Sequence, residues 1–259
     1  MVDEKRFLVD VGMNNLPFPM KVASKISPEG QSTIAGISIS ARVMQEFEAK
    51  SIDKFIQILH AHRDKIGTKT LQANIIDYMK ELKANTVRVD FAYPFFIEKH
   101  TPVAKEKCLV RYNCVYTVKV SSVDEKPKVI FKIEAPAITT YPVSFDDRAG
   151  GLFGQLSTIV IEVESEKDIY PEDLVEIVDK RALVPVYSFL TDKDQEFVIK
   201  KIHTDRKTSV MMMDEIKDEL AHNQNIKWYS LSCSNFGMLH SYSTVIGTEK
   251  SIWVPFSSF

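Results

Sequence analysis

Residues 108–120 read CLVRYNCVYTVKV, and every second position is apolar or aromatic: Cys108, Val110, Tyr112, Cys114, Tyr116, Val118 and Val120. The opposite set carries Arg111, Asn113, Thr117 and Lys119. A strand turns successive side chains to opposite sides, so this alternation predicts a β-strand with one buried and one wet face. The preceding TVRVDFAY repeats it with Val87, Val89, Phe91 and Tyr93. Residues 129–135 and 157–165 do the same, the latter with Ile159, Ile161 and Val163 on one side. Two further strands are predicted at 226–234 and 239–246.

Helical spacing falls between these strands. Ile52, Phe55, Ile56 and Leu59 follow the i, i+3, i+4, i+7 rule, as do Leu71, Ile75, Tyr78, Met79 and Leu82. Pro171 with Glu172 and Asp173 reads as a helix start ahead of Leu174, Val175 and Val178. Thr191, with Asp194 three residues on, resembles a capping box that opens a helix through about Lys201. Met212, Met213, Ile216 and Leu220 mark another helix, with the Met run assigned to the core.

The element order is strand, strand, helix, helix, strand, strand, and then the same again. The first set spans 1–121 and the second 126–259, joined by the polar SSVDEKPK. Antiparallel strand pairs with helices on one face make an α+β architecture. The uncovered sheet face needs a partner, which predicts a homo-oligomer.

The 259 residues are 44% hydrophobic and 26% charged, enough apolar material for a core. A net charge of −2 gives no bulk attraction to nucleic acid or to a membrane surface. No apolar run reaches membrane-spanning length, and MVDEKRFLVDVG lacks the apolar stretch of a secretory signal. The three cysteines, Cys108, Cys114 and Cys233, form no CxxC pair, and their odd number argues against a disulfide framework. These features predict a cytoplasmic protein with neither nucleic acid nor membrane as partner.

Familiar catalytic signatures are missing. GxxxxGK[ST], GxSxG and HExxH do not occur. The glycines of YPVSFDDRAGGLFGQ (141–155) do not open a helix after a strand, so a wide strand-to-strand turn explains them better than a dinucleotide fingerprint. His60 and His62 sit about 200° apart around a helix and cannot share a metal ion. His240 and Tyr242 are two apart on a predicted strand and project from one face, where they could position a substrate or a metal. In FFIEKHTPV (95–103), Glu98, Lys99 and His100 follow a strongly alternating strand. They read either as a charged strand end or as an anchor for a polar heterocycle, since a carboxylate accepts two parallel N–H bonds from a guanine-like edge.

Five stretches in order resemble the type IB GTP cyclohydrolases: DVGMNNLPFPMKV, FFIEKHTPV, YPVSF, YPEDLVEIVDKRALVPVYSFL and NFGMLHSYS. The resemblance implies a tunnelling fold of two tandem ββααββ units, assembled into a homotetramer with sites at subunit interfaces. It implies a divalent metal that activates water against C8 of the GTP guanine. Formate leaves, and the product is 7,8-dihydroneopterin triphosphate, a folate and pterin precursor. Such chemistry calls for a Lewis acid, an acid–base group and a carboxylate on the guanine edge.

The resemblance also exposes departures. After PV the family carries a Cys-Pro-Cys segment, and a His follows just ahead of an Asn-Gln. PVSFDDRAGGLFGQLSTI holds neither Cys nor His, which leaves Asp146 and Asp147 as candidate ligands. Carboxylates alone suit harder ions than thiolate and imidazole do. The family's Glu in a Thr-Glu-Arg context falls near Lys200, and its His-x-His becomes His240-Ser241-Tyr242. A catalytic zinc takes three protein ligands, and of the family's ligand types only His240 remains at a matching position.

The leading expectation is therefore a cyclohydrolase-like chain with a degenerate site and no cofactor, binding a purine or pterin through Glu98, Lys99 and Asn235. The alternative is an active GTP cyclohydrolase, a hydrolase of a cyclic amidine, with a divalent metal on relocated ligands Asp146, Asp147, His203 and His240. The third is a non-catalytic structural or regulatory subunit. The catalytic candidates are His240, Tyr242, Asp146 and Asp147. Nitrile reductases of the same fold need a nucleophilic Cys, which the corresponding loop lacks.

Overall fold

The computed structural model describes residues 8–44, 50–64, 66–124, 126–142, 152–236 and 241–250. The chain runs β1 (Leu8–Val22), β2 (Gln31–Met44), α1 (Lys50–His62), α2 (Thr68–Glu81), β3 (Thr86–His100) and β4 (Lys107–Ser121). It continues β5 (Lys128–Thr140), β6 (Gly154–Ser165), α3 (Pro171–Arg181), β7 (Val184–Pro185), α4 (Asp192–Thr204), α5 (Ser209–His222), β8 (Ile226–Phe236) and β9 (Ser243–Glu249). Strand order is β1-β2-β3-β4-β5-β6-β8-β9, with β7 paired to β5. Among the described residues the second set carries three helices, not the two that the repeated order predicts. No helix among the described residues is long and apolar enough to cross a membrane.

Alternation governs the long strands. In β4 every apolar position from Cys108 to Val120 that the pattern assigns inward is buried. β3 shows the same period from Val87 to Ile97. The predicted last strand at 239–246 begins later, at Ser243, and residues 237–240 lie outside the described set.

The chain groups into two compact units. One compact unit takes 1–94, 114–132 and 164–170; the other takes 95–113, 133–163 and 171–259. In the first, β1 and β2 pair antiparallel, with a bulge between Met13 and Leu16 that puts Asn15 at φ 53°. Phe18, Met20, Ile37 and Phe91 from the strands meet Leu59, Leu71 and Tyr78 from α1 and α2. Tyr116 packs between Tyr93 and Phe131. Asp168 Oδ1 accepts from Lys69 N at 3.1 Å and so caps the start of α2, whose own N-cap residue Gly67 has no side chain to do so.

In the second unit α3 and α5 pack together, α5 lies on β8, and Met212, Met213, Ile216 and Leu220 are buried as their spacing predicts. The expected capping box is present: Thr191 Oγ1 accepts from Asp194 N, and Asp194 Oδ2 accepts from Thr191 N at 3.0 Å. Leu183, Val184 and Val198 form a small core with Ile138, Tyr187, Leu190 and Ile202 around it.

Candidate functional site

The candidates Glu98 and Lys99 are neighbours in sequence but face opposite ways, as strand geometry requires. Glu98 points outward and pairs with Lys107 at 2.9 Å, both side chains well exposed. An exposed pair of this kind contributes little and leaves Glu98 among solvent. Lys99 shares the parity of Phe95 and Ile97 and so continues the buried face of β3. Its side chain is only 9% exposed, and Nζ lies 2.6 Å from Asp179 Oδ2 on α3. The rings of Tyr112 and Tyr187 stand 5.4 and 5.9 Å from that ammonium. Burial pushes the Asp179 carboxyl above its ordinary value, with Lys99 opposing the shift. Burial likewise raises the Tyr112 and Tyr187 phenols.

Asn235 is buried inside the sheet, and its amide is engaged at both ends. Ser157 Oγ donates to Asn235 Oδ1 at 2.7 Å, and Asn235 Nδ2 donates to Thr244 Oγ1 at 3.4 Å. With the Ser157 proton committed, Thr139 donates across their 2.8 Å contact, and Gln155 Nε2 donates to Thr139 at 3.1 Å. A directed chain Gln155–Thr139–Ser157–Asn235–Thr244 thus ties β5, β6, β8 and β9 together. Cys233 Sγ also reaches Asn235 Oδ1, and burial pushes its thiol up to about 11. A thiol so protonated is not a nucleophile at neutral pH.

Tyr242 is largely exposed just ahead of β9. Asp146, Asp147 and His240 lie outside the described residues. His203 on α4 holds the Leu152 carbonyl at 2.5 Å through Nδ1, which fixes the proton there and leaves Nε2 open. Lys200, on the same helix, is exposed. The residue just ahead of Gly154-Gln155 is Phe153, its ring stacked on Tyr141 at 5.0 Å. Among the described residues no three His, Cys, Asp or Glu side chains are grouped to hold a metal ion.

A family model described as "Type I GTP cyclohydrolase folE2" matches residues 3–245. The chain belongs to that family. Among its relatives, the GTP cyclohydrolase FolE2 of Geobacter sp. strain M21 is 27% identical over 241 residues, covering 93% of this chain and 89% of the relative. That of Dictyoglomus turgidum is 29% identical over 252 residues, covering 96% and 94%. Solved uricases share the backbone. The enzyme from Bacillus fastidious superposes with a TM-score of 0.59 at 11% identity, covering 93% of each chain. The enzyme from Arthrobacter globiformis does so with a TM-score of 0.54 at 7% identity, covering 98% of this chain and 96% of that one. At such identities the likeness concerns the fold alone, which is the α+β tunnelling fold.

Within this family the sequence missed Asp179, Tyr112 and Tyr187 as companions of Lys99. The signal was present. Lys99 has inward parity on β3, and Asp179 follows buried Val175 by four residues on α3, so both charged groups occupy core-facing positions.

Proposed function

We propose that this member of the FolE2 family acts on a purine nucleotide and opens the guanine imidazole ring of GTP with release of formate. The support is the continuous family match over residues 3–245, together with relatives named GTP cyclohydrolase FolE2 that align over most of both chains. This favours the active alternative over the degenerate reading. The reaction class needs water activated near neutral pH, a task a divalent cation performs in the family.

The described residues that the resemblance puts near the family's ligand positions are not ones that would hold such a cation. Phe153 offers an aromatic ring engaged with Tyr141, and Lys200 offers a positive charge. No step is therefore assigned to a metal held by them, and the relocated-ligand proposal rests on Asp146, Asp147, His240 and His203 Nε2. These two residues favour one second reading: a purine- or pterin-binding protein that leaves the ring intact.

Formate release from GTP, measured beside the metal content of the purified protein, separates the two. Stoichiometric metal with formate is the expected result. A metal-free protein that binds guanosine and produces no formate, even after zinc, iron, manganese or magnesium is supplied, establishes the second reading instead.

A further inference from the structure

In the second unit β8 turns Tyr229, Leu231, Cys233 and Asn235 inward, which leaves Trp228, Ser230, Ser232, Ser234 and Phe236 on its other face. β9 pairs with it so that Val245 lies opposite Ser234 and Gly247 opposite Ser232. Partnered residues share a face, so short side chains make a low strip between Trp228 at one end and Phe236 with Val245 at the other. Ser157 bonds to Asn235 on the inward side, which sets Leu156 of β6 on this same face at the Phe236 end. Phe236 is 52% exposed, and Val245 and Leu156 are each 48% exposed. No residue of β9 is buried. Neighbouring apolar side chains left half open on a sheet mark a surface that something covers.

We propose that residues 251–259 of the same chain are that cover, laid along the strip from Trp228 toward Phe236. The segment reads SIWVPFSSF and holds no charged side chain, while Ile252, Trp253, Val254, Phe256 and Phe259 give it apolar surface that gains by leaving water. It lies beyond the family match, which ends at residue 245. The chain delivers it to the right end. Lys250 N donates to Tyr229 O at 2.9 Å and Lys250 Nζ to Ile226 O at 3.3 Å, so the chain leaves Lys250 beside the Trp228 end of the strip. From Trp228 to Phe236 is about 27 Å at the rise of a strand, and nine extended residues span about 30 Å. Phe256 then falls at the level of Val245 and Leu156, and Phe259 at that of Phe236. The hydroxyls of Ser230, Ser232 and Ser234 can donate to carbonyls of the segment's backbone. Pro255 suits a chain crossing a sheet face, where no ladder bond needs its missing N–H.

Two measurements on the full chain test the placement. Val245→Cys combined with Phe256→Cys, bridged by a short bismaleimide, is expected to give a cross-link within one protomer mass. The native Cys108, Cys114 and Cys233 are buried, and each single variant serves as the control. A band at twice the protomer mass, present only in the double variant, assigns the strip to the segment of a second copy and overturns the proposal. Absence of any cross-link also overturns it. The chain has two tryptophans, so Trp228→Phe leaves Trp253 as the single fluorophore. Its emission is expected to lie to the blue of the urea-unfolded chain. Adding Phe236→Ser and Val245→Ser should return it to the unfolded position with the far-UV circular dichroism unchanged. Emission already at the unfolded position, or a blue shift that survives both substitutions, means that the segment does not rest on this strip.

Discussion

Asp194 carries four hydrogen bonds on one carboxylate. Oδ1 accepts from Val103 N at 2.7 Å and Ala104 N at 3.0 Å, while Oδ2 accepts from Thr191 N and Thr191 Oγ1. It therefore caps α4 and pins the turn after β3 at once. Burial pushes this carboxyl up, but the bonds from Thr191, Ala104 and Val103 together outweigh it and hold the group below its ordinary value. A depressed carboxyl contributes stability that is fully present above its unfolded value near 4 and is lost as pH falls through the lower folded value. Asp194→Asn keeps the size but offers one carbonyl oxygen in place of two acceptors. It should lower the melting temperature by several degrees at pH 7 and flatten the loss of stability below about pH 4; an unchanged melting curve at both pH values would refute the dual role. Ser157 supports a second residue-scale prediction. Ser157→Ala removes the donor to Asn235 Oδ1 and strands the Thr139 proton, at a cost of about 1–3 kcal/mol in urea unfolding.

Among the elements, β3 and β4 were legible because a half-buried strand writes its two faces into alternate residues. The start of α4 was legible because Thr191 and Asp194 are three apart, the spacing that lets each side chain reach the other's backbone. β1 was harder to read. Its bulge at Met13–Leu16 shifts the register, and the turn-like NNLP within DVGMNNLPFPMKV masks a strand of 15 residues. Before that bulge, a Cβ on Gly12 would run into the Ile39 carbonyl oxygen of β2, a backbone atom that cannot move without disturbing the pairing. Gly12→Ala should therefore cost about 1–3 kcal/mol by chemical denaturation, as overpacked sites do. A neutral outcome would mean that the β1–β2 pair is looser than its register implies.

At the scale of the whole molecule, β1 and β9 stand at the two ends of the strand order among the described residues, the places where a second chain could add to the sheet. Light scattering is expected to give a multiple of the protomer mass, with a tetramer as the family resemblance implies; a monomer at micromolar concentration would reject that assembly. Periodicity by itself determined the inward residues of the long strands and helices and the α+β class, because burial period depends only on local backbone geometry. The repeated order it suggested fails in the second half, where a third helix and the two-residue β7 intervene. Five ordered motifs marked the family. The sequence could not disclose which charged residues meet, since Lys99 and Asp179 are 80 positions apart and only packing of α3 against the end of β3 joins them. Nor could it show that the Asn235 amide is already spent within the sheet. Those assignments belong to tertiary structure: a polar side chain's role depends on whether burial leaves its hydrogen bonds satisfied by the protein or available to a ligand.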